Sequence, residues 1–294
     1  MAKENEAPKI DLSKIKNMEA VKAQDPEFAT VIKKTFKPKG GKSKFNFTQP
    51  ERIPLPSKGR FYGSVTDDED VLNGYIFMYP MTATEEDILV NGRFLKSGVA
   101  TRMILDNCIA SSIDAKDLLV FDSNFLLFYL RQISYGDEYK FGIKCPACRK
   151  QFTHKVEISK LAFEELPKEL EEPIEVKLPV SKYTVSLLLP RVYHSEIIYQ
   201  KRAEIQDEEE LDKGLKLLST VMATTISIQT DRGEEVPKKD WEDFFGAIPG
   251  MDRAILSERT TFTTGIDDIK GLDCPFCDEK FNTTVPMGIE FFRL

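Results

Sequence analysis

No run of apolar residues in this chain approaches the roughly 18 needed to cross a bilayer, so no membrane-spanning helix is expected from the sequence. Histidine is scarce, with His154 and His194 the 2 present. Neither has neighbours that mark it as a general base, and no Gly-x-Ser-x-Gly elbow occurs. Nucleophilic catalysis therefore has no candidate centre. Gly40-Gly41-Lys42-Ser43 lacks the first glycine at phosphate-loop spacing and follows a basic stretch instead of a strand, which argues against a nucleotide site. Acidic clusters at Asp67–Asp70 and Asp207–Glu210 read as a solvated loop and a helix start, and no acid–base pair stands out. No small-molecule substrate is expected. Cysteine is also sparse, with 5 in the chain, which does not suit a disulfide scaffold at this size. The segment Met1–Asn5 carries no apolar stretch of signal type, so a cytoplasmic setting is the expectation.

What is present is enough to build a core. The chain has 294 residues, 41% of them hydrophobic and 20 of them Phe, which allows one large domain or two modest ones. The net charge of −7 is unevenly spread: residues 1–60 hold 14 Lys/Arg against 7 Asp/Glu. The densest basic run is Lys33, Lys34, Lys37, Lys39, Lys42 and Lys44, broken by Pro38, Gly40 and Gly41. Such a segment buries too little apolar surface to fold alone. Residues 1–47 are read as an extended basic arm, with these lysines as candidate partner-binding residues or as a solvated tail.

Four of the five cysteines form two matching pairs: Cys145-Pro146-Ala147-Cys148 and Cys274-Pro275-Phe276-Cys277. Each is followed by a short polar stretch and then Phe, at Phe152 and Phe281. A single C-x-x-C also serves redox dithiols. Two copies, each between segments that read as strands, point instead to zinc knuckles that together supply four thiolates to a structural zinc ion. Four thiolates leave no open coordination position for hydrolysis. Such a site would clasp residue 145 to residue 277. Phe152 and Phe281 are expected to pack beside it, and His154 is a surplus ligand. Cys108, in the pattern Met103, Ile104, Leu105, Cys108, Ile109, reads as a small buried hydrophobe. His194 is expected at the surface, at the start of a helix.

The order of elements is expected to be as follows. Arg52–Tyr62 forms a strand, a Ser57-Lys58-Gly59 turn and a second extended piece; Tyr75–Tyr79 is a buried strand. Thr82 with Glu85 makes a capping box. Helices follow over 97–111 and from a cap at Asp122 or Ser123 to Tyr135-Gly136, then strands on either side of the first knuckle. Ile174–Leu178 and Tyr183–Leu189 alternate as a hairpin. Helices are expected from Pro190 through Ile205, from Asp207 through Met222, around Trp241–Phe245 and over Met251–Arg259. Strands then flank the second knuckle. Leu178-Pro179-Val180-Ser181-Lys182 echoes Leu55-Pro56-Ser57-Lys58, and Pro190 leads into a helix as Pro80 does. The fold class expected is α+β. Two related halves, 48–160 and 161–294, would each hold a β-hairpin, a helical cluster and a knuckle on a hairpin, joined by a four-cysteine, zinc-ribbon-like site.

The stretch Arg52–Tyr62, followed by Pro80-Met81-Thr82-Ala83-Thr84-Glu85-Glu86-Asp87-Ile88-Leu89, resembles a baseplate protein family of T-even-type, contractile-tailed bacteriophages. The resemblance is clearest over about residues 50–155 and includes the C-P-x-C knuckles downstream. It implies a non-enzymatic component of the baseplate hub, or a factor that assembles it, with other tail proteins as partners. It also implies a place in the host cytoplasm during assembly and in the virion tail if retained. No catalytic residues come with it. Nucleic-acid binding by a zinc-ribbon protein is the alternative reading. It is disfavoured because the second knuckle is flanked by Asp267, Asp268, Asp273, Asp278 and Glu279, whereas phosphate contacts need clustered Lys and Arg.

Overall fold

The structure is a computed structural model that describes residues 48–91, 94, 99–163, 166–204, 215–260 and 269–292. Strand β1 (Glu51–Pro54) pairs antiparallel with β2 (Tyr75–Met78), with Ile53 opposite Ile76. Between them the chain makes consecutive turns, not the second extended piece expected at Arg60–Tyr62. Lys58 (φ 57°) and Gly59 (φ 76°) both adopt the left-handed region and turn the chain back on itself. A Cβ at Gly59 would lie 2.4 Å from the Val71 carbonyl oxygen, so only glycine fits there. The acidic cluster is a loop only at Asp67 and Asp68. Asp68 accepts hydrogen bonds from the Asp70 and Val71 N–H groups and caps a one-turn helix, α1 (Glu69–Leu72).

Helix α2 (Ala83–Val90) opens on the expected capping box of Thr82 and Glu85. Helix α3 (Ala100–Cys108) buries Met103, Ile104, Leu105 and Cys108. Helix α4 (Val120–Tyr135) starts before the cap expected at Asp122 or Ser123 and has no side-chain cap. Asp122 points inward instead, and Gly136 at φ 88° ends the helix. Strands β3 (Glu138–Lys144) and β4 (Gln151–Glu157) form the hairpin that carries the first knuckle.

The next hairpin joins β5 (Ile174–Lys177) to β6 (Thr184–Leu187). Helices α5 (Val192–Glu204) and α6 (Leu215–Thr224) follow. A strand not foreseen from the sequence, β7 (Thr225–Gln229), then pairs with the free edge of β6 to make a three-stranded sheet. Helices α7 (Trp241–Ala247) and α8 (Gly250–Thr260) lead to β8 (Ile269–Asp273) and β9 (Lys280–Thr283), the hairpin of the second knuckle. Asp207–Glu210, Ile205 and Leu211 lie outside the described residues, as does the whole basic run Lys33–Lys44. Val185, Leu187, Val221, Ile228, Phe245 and Leu256 form one buried cluster under the three-stranded sheet. Burying each such side chain contributes about 1.5–3 kcal/mol.

Two polar arrangements fix how these elements meet. The Ser57 N–H and hydroxyl donate to the Asp122 carboxylate at 2.9 and 2.5 Å, and the Tyr62 hydroxyl donates to it at 2.6 Å. All three residues are buried. In the later part of the chain, the N–H groups of Val180 and Ser181 donate to Asp252 at 2.9 and 2.8 Å. Asp122 and Asp252 each occupy the third position of their helix, and Lys182 (φ 68°) repeats the left-handed turn residue of Lys58.

The second arrangement centres on Arg191. The segment Leu118–Val120 pairs with Pro190–Val192 through Val120 N–H to Pro190 O (2.8 Å) and Val192 N–H to Leu118 O (2.9 Å). The Arg191 guanidinium donates to the carbonyls of Phe61 and Asp117 and to the Glu172 carboxylate. His194, expected at the surface, is 3% exposed, and its Nδ1 accepts the Arg191 N–H at 3.0 Å. Burial and the adjacent Arg191 charge push its pKa down to about 3, so this imidazole is neutral and acts as a packed acceptor. Its helix-start position could not reveal that burial, because the surface covering it comes from another part of the chain.

Candidate metal centre

Each knuckle is a tight reversal between two strands. In the first, Cys145 N–H donates to Lys150 O and Arg149 N–H to Cys145 O, both at 3.0 Å. Arg149 takes φ 60° to close the turn. In the second, Cys274 N–H donates to Glu279 O at 3.0 Å, and the Phe276 N–H points at the Cys274 sulfur at 3.4 Å. Antiparallel strands leave and enter each turn, so the C-P-x-C spacing presents two thiols on one side.

The two hairpins bring their four sulfurs together. Cys145 Sγ lies 3.8 Å from Cys277 Sγ, and Cys148 Sγ lies 3.7 Å from Cys274 Sγ. All four sulfurs fall within 4.8 Å of one another. Four sulfurs each about 2.3 Å from a central ion sit about 3.8 Å apart in a tetrahedron. The 3.7 and 3.8 Å separations match that edge, and they are far from the roughly 2.05 Å of a disulfide. All five cysteines are free thiols, including the buried Cys108.

The electrostatics agree with the geometry. Burial opposes ionisation of Cys145, but donation from the Cys148 and Ala147 N–H groups and the nearby thiols of Cys148 and Cys274 outweighs it, drawing Cys145 down to about 7. At Cys277 the Glu279 N–H favours the thiolate. Burial and the neighbouring Cys274, Cys148 and Cys145 outweigh that and push Cys277 up to about 12. Ionisation is thus eased at Cys145 and opposed at Cys277. Metal binding at such a site releases protons. The four cysteines could hold a metal ion, and no other cluster of three or more His, Cys, Asp or Glu is suited to one among the described residues.

His154 sits on β4 opposite Phe141, with ring centroids 6.0 Å apart, and is not in the cluster. Phe152 and Phe281 meet edge to face beside the cysteines at 6.5 Å. Phe276 was not singled out from the sequence. It is half exposed at the tip of the second knuckle, 6.4 Å from Phe152 and with the Lys150 ammonium 5.1 Å over its ring. The signal for it was available: the matching position of the first knuckle is Ala147. Beyond the second knuckle the chain returns to the core. Phe291 is fully buried against Phe128 and Tyr139 at 4.7 and 5.0 Å. The second hairpin is therefore anchored at both ends.

The family model described as T4 bacteriophage base plate protein matches residues 68–293. Comparison with curated proteins and comparison with solved structures each gave no match. No helix among the described residues is long and apolar enough to cross a membrane.

Proposed function

The chain belongs to the T4 bacteriophage base plate protein family, and from that membership we propose that it is a structural or assembly component of the baseplate hub region. It acts through protein–protein contacts with other tail proteins and turns over no substrate. One structural zinc ion, held by Cys145, Cys148, Cys274 and Cys277, locks its shape. The observation that carries the family assignment is the match over residues 68–293. The zinc assignment rests on four sulfurs within 4.8 Å of one another, two pairs of them at 3.7 and 3.8 Å, and on the preference of zinc for an all-thiolate structural shell. A thiol oxidoreductase would place its reactive cysteine where a helix N-terminus lowers the thiol pKa. Here strands β4 and β9 follow the knuckles.

We also read residues 48–160 and 161–294 as two related halves, with residues 1–47 as a basic arm that orders against a neighbouring subunit. Three parallels support the two halves. Lys58 and Lys182 take the same left-handed turn conformation. Asp122 and Asp252 receive the N–H groups of those turns from the same helix position. Each of those helices then leads to a strand-flanked knuckle. The halves differ in the strand β7, which the first lacks among the described residues. On this reading the metal closes a duplicated fold into one rigid block.

The test is genetic. A stop codon early in the gene should arrest tail assembly at the baseplate, and supplying the full chain should restore it. Tails that assemble and contract normally without the chain would reject the assignment.

A further inference from the structure

Residues of β3 and β9 line one open cleft of about 330 Å³. In the β3–β4 ladder, Cys145 N–H bonds Lys150 O and Ile158 N–H bonds Asp137 O. Odd positions of β3 therefore turn their backbone groups toward β4. By the alternation of antiparallel pairing, Lys140, Gly142 and Lys144 turn theirs away from it. The Cys274–Glu279 bond sets the same alternation in the other hairpin, so Lys280 and Asn282 turn their backbone groups away from β8. The cleft is lined by Gly142, Ile143 and Lys144 and by Phe281, Asn282 and Thr283, which include the outward-turned positions Gly142, Lys144 and Asn282. The cysteine cluster lies at one end. At the other, the Tyr139 hydroxyl reaches the Pro286 carbonyl at 3.3 Å. Both hairpins are two-stranded, and among the described residues nothing pairs with either outer edge.

An edge of unspent N–H and C=O groups accepts another extended chain, with backbone bonds giving affinity and side-chain fit giving selection. Here two edges flank one slot. Lys144 is exposed on the wall and makes no ion pair among the described residues, whereas Lys140 is paired with Glu138 and Lys280 with Asp273. The uncommitted charge favours an acidic residue on the incoming segment. The run Lys33–Lys44 of this chain holds 6 Lys and no Asp or Glu, so charge disfavours that stretch as the occupant; residues 1–32, with 5 Lys against 6 Asp/Glu, are separated from the proposal by the peptide test below. We propose that the cleft between β3 and β9 is a strand-acceptor site for an extended acidic segment of a neighbouring tail protein. That the donor is a tail protein rests on the function proposed above; the acceptor geometry does not.

The probe is an array of overlapping peptides covering the other tail proteins of the same phage, with peptides from residues 1–47, β3 and β9 of this chain included. The full-length protein is applied, and hits are measured in solution by fluorescence anisotropy and amide hydrogen exchange. The expected hit is an acidic peptide from another tail protein that slows exchange at Gly142, Lys144 and Asn282. Gly142→Pro removes a cleft-facing N–H that β4 does not use, and its added Cβ meets only the side chain of Gln151, at 2.9 Å. Lys144→Glu reverses the wall charge without touching the backbone. Each should weaken binding at least tenfold while metal content and melting temperature stay unchanged. The proposal fails if no peptide binds, if the best peptide comes from this chain, or if Lys144→Glu binds as tightly as wild type. Presence of the chain in purified baseplates would still support the proposed function in that case, so the two ideas fall separately.

Discussion

Replacing Asp122 by Ala removes one acceptor from three buried donors: the Ser57 N–H at 2.9 Å, the Ser57 hydroxyl at 2.5 Å and the Tyr62 hydroxyl at 2.6 Å. Ser57, Tyr62 and Asp122 are 1%, 0% and 0% exposed, so water cannot replace the carboxylate without opening the site. The Tyr62 oxygen still accepts the Leu119 N–H at 3.0 Å, and the Ser57 oxygen still faces the Gly59 N–H. The hydroxyl protons can therefore reorient in part, but the Ser57 N–H cannot. An unsatisfied buried donor costs about 1–3 kcal/mol, which puts Asp122→Ala at about 3–6 kcal/mol. That is a large share of the roughly 5–15 kcal/mol by which a domain is stable. In a thermal melt followed by circular dichroism it corresponds to a drop of about 10–20 °C. Asp122→Asn keeps an acceptor for the Ser57 N–H and should lose about 1–3 kcal/mol. A drop below about 3 °C for Asp122→Ala would show that the turn is not held by this carboxylate.

Cys277→Ser should lower the melting temperature of the C-terminal half as a whole, by more than about 10 °C, because a structural zinc site contributes directly to folding; a strong chelator should reproduce the effect in calorimetry. His194 is neutral in the folded chain, with its pKa moved from the ordinary 6.5 to about 3. Its contribution to stability is present above 6.5 and is lost as pH falls toward 3, with a slope of up to about 1.4 kcal/mol per pH unit. Denaturant titrations of His194→Asn, which keeps an acceptor for the Arg191 N–H, should lack that part of the slope. Changing Lys33, Lys34, Lys37, Lys39, Lys42 and Lys44 to Glu should leave the melting temperature unchanged. It should weaken co-purification with tail proteins at least about tenfold, since exposed charges contribute about 0.2–1 kcal/mol each.

The parts of this fold that were legible in the sequence are those whose cause is local. The C-P-x-C spacing and the flanking strands announced the knuckles, and Thr82 with Glu85 announced the start of α2. The alternation of Ile174–Leu178 and Tyr183–Leu189 announced the β5–β6 hairpin. What escaped depends on chain brought from elsewhere. Thr225–Gln229 becomes a strand because β6 offers it a free edge. Asp122, which looked like a helix cap, turns inward because Ser57 and Tyr62 supply donors from the opposite side of the turn. His194 is buried because the Arg191 segment pairs with Leu118–Val120. The sulfurs at 145 and 277 were expected to meet from type and spacing alone, but their separations and the exposed Phe276 beside them needed coordinates.

The most direct measurement for the central claim is metal analysis with X-ray absorption on the full chain purified without added metal. The expected result is about one zinc per chain, with four sulfur ligands at about 2.3 Å, lost on replacing any one of Cys145, Cys148, Cys274 or Cys277. Protein that is folded and free of metal, or that carries iron or a disulfide between these cysteines, would contradict it.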